Sequence, residues 1–423
     1  MLPIRVSPEN LHRLQTADGA PLFLLGDTAW ELFHRLTLDE TDRYLTVRAA
    51  QGFACVWAVA LAEFDGLRTP NRNGDVPFEG LDPDRPVESY WRHVDAVLGL
   101  ARGHGLRTAL LPTWGDKVTP GWGDGPAVFD TAEIARRYGG WLGRRYAARA
   151  DLVWVLGGDR PASKGKDDWT PIWRAMAEGL RAGGARGLMT YHPQGGRPTA
   201  SELLQGEAWL DVYAMQSGHG GGHDVPVWDW VARDLALEPP RPTLDAEPNY
   251  EDHPVDPWPT WNPADGHFDD LDVRRQAYRS AFAGGCGVTY GHHSVWQFAS
   301  DRQPWVNHPL MDWEEALRRP GAESMRHLRA LMEGEGATMV PAPELLVEPG
   351  EGPERAAAMR GGGTALVYRP TRKPLRIEGS WDAARIDPRT GGREPVGRVE
   401  GELPGDGPSE DAAFLLRSPS SET

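Results

Sequence analysis

The sequence has only two cysteines, Cys55 and Cys286, both inside apolar, strand-like segments. Two such thiols cannot form the disulfide framework of a small secreted scaffold, and neither has a metal-ligand neighbour. They fit a reducing cytoplasm. Long hydrophobic runs are missing too: the longest, ACVWAVALA at 54–62, is far too short to span a bilayer. The opening stretch MLPIRVSPENLHRL has no charged segment followed by an apolar one, so no secretory signal is read and the expected location is cytoplasmic. Positive charge is the third shortage. With 45 basic against 61 acidic residues the net charge is −16, which repels phosphate backbones and anionic membranes. Neither nucleic acid nor a membrane is an expected partner.

Tryptophan, by contrast, is abundant: 18 residues, roughly three times ordinary usage. Flat apolar sugar faces pack well on indole rings, so this richness suggests a carbohydrate ligand, although most of the rings are expected to fill a core. Fifty glycines and 37 prolines without a repeat period indicate many loops.

The length of 423 residues suits one large domain plus a small one. From residue 22 to about 300, eight short apolar runs alternate with amphipathic stretches. They are LFLLGDTAW, FACVWAVALAEF, LRTALLPTWGD, LVWVLGGDR, LMTYHPQ, LDVYAMQSGH, RPTLDAEPNYE and GVTYGHHSVWQF. Near-continuous apolar character is what parallel strands covered on both faces require. The intervening segments read as helices: 37–52 carries a Thr37/Glu40 capping pair, and 86–105 places Tyr90, Val94, Val97 and Leu98 on one face. The pattern predicts an α/β (β/α)8 TIM barrel over residues 1–338. The competing open doubly wound sheet lacks its glycine-rich turn, since GDTAW is not GxGxxG. After a Pro/Gly/Glu stretch at 339–354, short strand candidates predict a small C-terminal β-sandwich over 339–423.

In a barrel the chemistry sits at the C-terminal strand ends. Those ends are rich in carboxylates, amides, imidazoles and indoles, while the opposite ends show mainly Pro, Gly, Arg and Leu. A metal hydrolase would want His-x-His on the first strand, where Asp27 stands without histidine, so no metal or other cofactor is expected. A phosphate site would want basic, glycine-rich late loops, and EPNYEDHPVD is too acidic. Cleavage of a glycoside needs two facing carboxyl groups, and Asp159 and Glu247 end the fourth and seventh runs. With period two, Thr243, Asp245 and Glu247 share a face, which predicts that both acids point into the barrel mouth. Arg160 would depress the Asp159 pKa if it turned inward, so it is expected to turn away.

GDTAWELFHRL, LLPTWGDKV, WVLGGDR, YHPQGGR, MQSGH, LDAEPNYEDHP and TYGHHSVWQ, in this order, resemble the apiosidase-like glycoside hydrolases of family 140 over roughly residues 10–335. The resemblance implies a (β/α)8 barrel with the GGD aspartate, Asp159, as acid/base and the strand-seven glutamate, Glu247, as nucleophile. It also implies a following β-domain whose collagen-binding label says little about its role. A retaining glycosidase acting on plant cell-wall oligosaccharide side chains is the expected function, with apiose as the family's substrate. The alternative is a carbohydrate-binding or adhesion protein that kept the barrel and lost turnover, for which a retained carboxylate pair is unnecessary. For the sugar hydroxyls the candidates are Asp27, Glu63, Asp116 and Gln216, with His192, His219 and His292 as hydrogen-bond donors to the hydroxyls or to Glu247. Trp114 and Trp296 are candidate sugar platforms, and Tyr250 a candidate partner of the nucleophile. Each has a bland competitor: a capped turn for the acids, a satisfied core imidazole for the histidines, and core packing for the indoles.

Overall fold

The computed structural model describes residues 1–120, 125–255 and 259–419. Four of the apolar runs become β1 (Leu24–Thr28), β2 (Cys55–Val59), β3 (Arg107–Leu111) and β4 (Leu152–Gly157). The other four become β5 (Met189–His192), β6 (Tyr213–Met215), β7 (Thr243–Asp245) and β8 (Gly287–Tyr290). All eight belong to one parallel sheet, in the order β5-β4-β3-β2-β1-β8-β7-β6. Its two ends also meet. The Asp211 and Val212 amides donate to the Met189 carbonyl (2.9 and 3.3 Å), and the Thr190 hydroxyl donates to the Val212 carbonyl (2.8 Å). The barrel is thereby closed.

A helix follows each strand: α1 (Leu38–Ala50), α2 (Glu88–Gly103), α3 (Ala132–Arg145) and α4 (Thr170–Gly183). The second half adds α5 (Ala200–Leu204), α6 (Val227–Leu235), α7 (Asp270–Phe282) and α8 (Pro320–Glu333). Helix α1 starts at the capping box read from the sequence, with reciprocal Thr37 and Glu40 bonds. Side chains alternate strictly along the strands. On β2, Cys55, Trp57 and Val59 fill the barrel interior, while Val56 and Ala58 meet the helices. Gly26 on β1 makes that filling fit: a Cβ there would lie 2.4 Å from the Trp57 indole nitrogen.

The C-terminal part forms one six-stranded antiparallel sheet, whose strands are β9 (Val340–Pro341), β10 (Ala357–Gly361) and β11 (Thr364–Arg369), then β12 (Leu375–Ile386), β13 (Arg393–Leu403) and β14 (Ala412–Arg417). The Pro/Gly/Glu stretch thus supplies the edge strand β9. Period two splits β11 between two cores. Leu366 and Tyr368 join the cluster shared with Tyr278 and Phe282 of the barrel, while Ala365 and Val367 face an inner core. That core also holds Leu375, Ile377 and Leu403; the register of β12 is interrupted between Arg376 and Ser380, where Gly379 has φ +85°. The two parts are joined by a buried bidentate pair, Arg274 to Asp411, at 3.0 and 3.2 Å. No helix among the described residues is long and apolar enough to cross a membrane.

Candidate active site

Strand β4 ends in three consecutive left-handed residues: Gly157 (φ +83°), Gly158 (φ +120°) and Asp159 (φ +48°). A Cβ on Gly157 would fall 2.3 Å from the His192 carbonyl oxygen, and one on Gly158 would fall 2.8 Å from the Trp114 ring. The glycines therefore make room for the protein's own backbone and indole. The turn they allow swings Asp159 out of the strand's alternation and into the mouth. A non-glycine residue held in this region costs about 1–3 kcal/mol and is characteristic of active sites. The Asp159 amide is anchored on His192 Nδ1 at 3.2 Å.

Glu247 arrives by a route the alternation did not predict. Leu244 and Ala246 point into the apolar barrel interior, and Thr243 and Asp245 point outward. The Thr243 hydroxyl donates to Asp234 Oδ2 on α6 (2.7 Å), and Asp245 accepts the Ser217 hydroxyl (2.5 Å). The expected shared face is thus inverted: a filled barrel takes apolar side chains inside and leaves the polar ones to the helix layer. Asp245 is a buried brace, its pKa pushed up to about 7 by burial. Glu247 reaches the mouth because the strand stops at Asp245 and the chain bends at Ala246 and Glu247.

The two carboxyls are driven in opposite directions. Burial alone would raise Glu247, but His192 Nε2 at 3.0 Å and His219 Nε2 at 3.3 Å overrule it and hold the carboxylate at about 2. Asp159 is raised, first by burial and then by the negative charge of Glu247, with Arg160 and His192 pulling back. The His192 Nδ1 that accepts the Asp159 amide also lies 3.1 Å from the Pro193 carbonyl, while Nε2 is 3.0 Å from Glu247 Oε2. Arg160 does not turn away as expected. Its side chain is fully buried, and Nη1 donates to the Asp159 carbonyl (2.7 Å) and carboxylate (3.2 Å) because no solvent is within reach. On its far side lies Glu63 at 3.8 Å, which burial, with help from Asp159, Asp116 and Glu31, pushes up to about 8.

Asp159 and Glu247 line a cavity of about 750 Å3 at the C-terminal mouth. Glu63, Trp114, Gln216, His219, Tyr250 and Trp296 from the sequence reading lie on its wall. His192 lies beneath Glu247 and is fully buried. The Tyr250 hydroxyl accepts from Trp30 Nε1 (3.1 Å), and its neighbour Glu247 raises its pKa further above the level set by burial. Besides His192, three predicted ligands do not reach the wall. Asp27 points to the helices, where its Oδ2 accepts from Arg48 Nε (2.7 Å) and the Tyr44 hydroxyl (2.5 Å). Asp116 is clamped by Lys117 Nζ at 2.6 and 2.8 Å. His292 is fully buried between Asp252 Oδ2 (3.1 Å) and the Ser294 amide (3.0 Å). The cavity also uses Trp30, Phe64, His253 and Trp261, which were not singled out from the sequence. Trp30 closes the first apolar run and could have been found by the rule applied to the other strand ends. Phe64 likewise closes the second run, FACVWAVALAEF, whereas His253 and Trp261 lie in loops without a periodic signal. Among the described residues no group of three or more His, Cys, Asp or Glu side chains could hold a metal ion.

A (β/α)8 barrel whose mouth joins an ionised carboxylate, a protonation-prone one and several indoles has the architecture of a glycoside hydrolase. Known proteins agree. Over 98% of its length, a structure described as a glycoside hydrolase superposes on 99% of this chain with a TM-score of 0.86 and 28% identity. A glycoside hydrolase family 5 structure from Bacteroides vulgatus gives a TM-score of 0.86 at 27% identity, covering 99% of this chain and 93% of its own. No curated protein sequence matches. The apiosidase-like catalytic domain matches residues 8–338, and the chain belongs to that family of glycosidases.

Proposed function

We propose that the enzyme is a retaining glycosidase in which Glu247 attacks the anomeric carbon and Asp159 is the acid/base. The observation that carries this reading is that Asp159 and Glu247 line one cavity with the His192 and His219 imidazoles at 3.0 and 3.3 Å from Glu247. That arrangement lowers the pKa of Glu247 while burial raises that of Asp159. In the first step the Asp159 proton passes to the leaving glycosidic oxygen while the Glu247 carboxylate forms an ester to the sugar. In the second, the Asp159 carboxylate takes a proton from water, whose oxygen displaces Glu247 and restores the anomeric configuration. Trp114, Trp296, Gln216, Glu63 and Tyr250 hold the sugar, and His192 and His219 keep the nucleophile ionised. Family membership favours apiosyl and related side-chain glycosides of plant cell-wall oligosaccharides. Residues 1–338 carry this chemistry, and 339–423 form an accessory domain bracing α7.

Glu247→Gln tests the assignment. Its kcat/KM is expected to fall on the order of 10^4-fold or more, with NMR showing retention in the wild type. Activity close to wild type would overturn the nucleophile, and inverted product would overturn the retaining step.

A further inference from the structure

The segment between β6 and α6, QSGHGGGHDVP at 216–226, forms one side of the cavity. Four glycines surround His219 at 218–222. Such a stretch has few side chains to pack and loses much conformational entropy on ordering, so whatever pins it decides the shape of that wall. Its first half is held by the barrel: the Gly218 amide donates to the Glu247 carbonyl (2.9 Å), and the Ser217 hydroxyl to Asp245 (2.5 Å). Its second half is held from α7. There the His223 ring, nearly half exposed, lies 3.0 Å from Asp272, and Asp224 accepts from Arg279 Nη1 at 2.7 Å.

Arg279 is fully buried, and its remaining nitrogens serve the C-terminal domain. Nε donates to the Arg355 carbonyl (3.0 Å), and Nη2 to those of Gly352 and Pro353 (both 2.9 Å). One planar fork thus holds a cavity-wall carboxylate and the segment between β9 and β10 in a fixed relation. Trp228, in the first turn of α6, adds to the joint: the guanidinium carbons of Arg279 and Arg355 lie 5.4 and 5.3 Å from its ring centre. Arg274 and Arg275 of α7 also reach the C-terminal domain, at Asp411 and the Pro370 carbonyl. Of the three, Arg279 is the one that also binds a residue of the cavity wall. The catalytic-domain match ends at residue 338, before all three of its carbonyl partners.

We propose that Arg279 is a positioning residue through which the C-terminal domain sets the β6–α6 wall of the cavity, and with it the affinity for substrate. The effect on substrate rests on the glycosidase reading above; the pinning of the loop does not. Gly350 allows a test from the C-terminal side. It holds φ +74°, and a Cβ there would lie 2.7 Å from the Glu354 carbonyl oxygen. Gly350→Ala therefore shifts the turn that supplies the carbonyls without altering any barrel residue. In amide hydrogen exchange, Gly350→Ala and Arg279→Gln are both expected to speed exchange across 216–226 about fivefold or more, with β2 and β3 as protected as in the wild type. On a panel of 4-nitrophenyl glycosides that includes the apiofuranoside, KM is expected to rise about fivefold or more. The kcat and the acid limb of the pH profile stay in place, because Gly218 and His219 keep their own anchors. Unchanged exchange across 216–226 in Gly350→Ala, or faster exchange with an unchanged KM, overturns the inference and leaves the glycosidase reading intact. Loss of protection in β2 and β3 as well would mark Arg279→Gln as misfolded, and Gly350→Ala then decides. If the wild type cleaves no glycoside of the panel, the glycosidase reading falls, and hydrogen exchange still decides whether the C-terminal domain holds the loop.

Discussion

Asp27 and Asp159 stand at the ends of β1 and β4, each beside an arginine, Arg48 at 2.7 Å and Arg160 at 3.2 Å. Burial pushes both carboxyls up. Only one of them faces the cavity. Asp27 is still inside the strand's alternation, at an outward position, and its arginine comes from α1 in the helix layer. Asp159 lies two residues past the end of β4, after glycines whose positive φ breaks the alternation. Asp245 and Glu247 repeat the contrast on β7. An acid within the strand braces the barrel wall, and one just beyond it is available to a ligand.

The contrast can be broken most sharply at Asp159. Asp159→Asn is expected to lower kcat/KM toward glycosides with poor leaving groups by about 10^2- to 10^4-fold, with an unchanged unfolding midpoint. A loss of stability without that kinetic defect would place Asp159 with the braces. Asp27→Ala should do the reverse. It strands the fully buried Arg48 and should cost about 3–5 kcal/mol in denaturant unfolding, while the folded fraction keeps its KM. A changed KM would put Asp27 in the site.

A pH profile sharpens the same division. The acid must be protonated, so kcat/KM falls as pH rises through the raised pKa of Asp159. The nucleophile must be ionised, so activity is lost on the acid side only as pH falls toward about 2. His219→Ala removes one of two imidazoles from Glu247 and should move the acid limb upward, leaving the alkaline limb in place. An unmoved acid limb would detach His219 from the nucleophile. The smallest effect is reserved for Tyr44→Phe, which deletes one bond to Asp27 and should cost about 1 kcal/mol of stability. Any effect on turnover would connect that brace to the chemistry.

Much of the fold was legible because buried parallel strands and capped helices leave local marks: continuous apolar runs, and Thr37 three residues before Glu40. The same property hid the facing of side chains. A strand buried on both sides carries little alternation, so TLDAE could be read with its acids inward when Leu244 and Ala246 in fact fill the interior. His292 looked like a ligand for a similar reason, since Asp252 lies 40 residues away and leaves no local mark, whereas the partner of Asp116 is its own chain neighbour Lys117.

By itself the sequence determined the eight strands, their helices, and which polar residue types arrive at the mouth, because those follow from patterns a few residues long. Only the tertiary structure decided which of them become reagents. That depends on where each chain segment leaves its strand and on partners supplied from distant elements. His192 on β5 and His219 beyond β6 hold Glu247 ionised, and Arg48 on α1 claims Asp27.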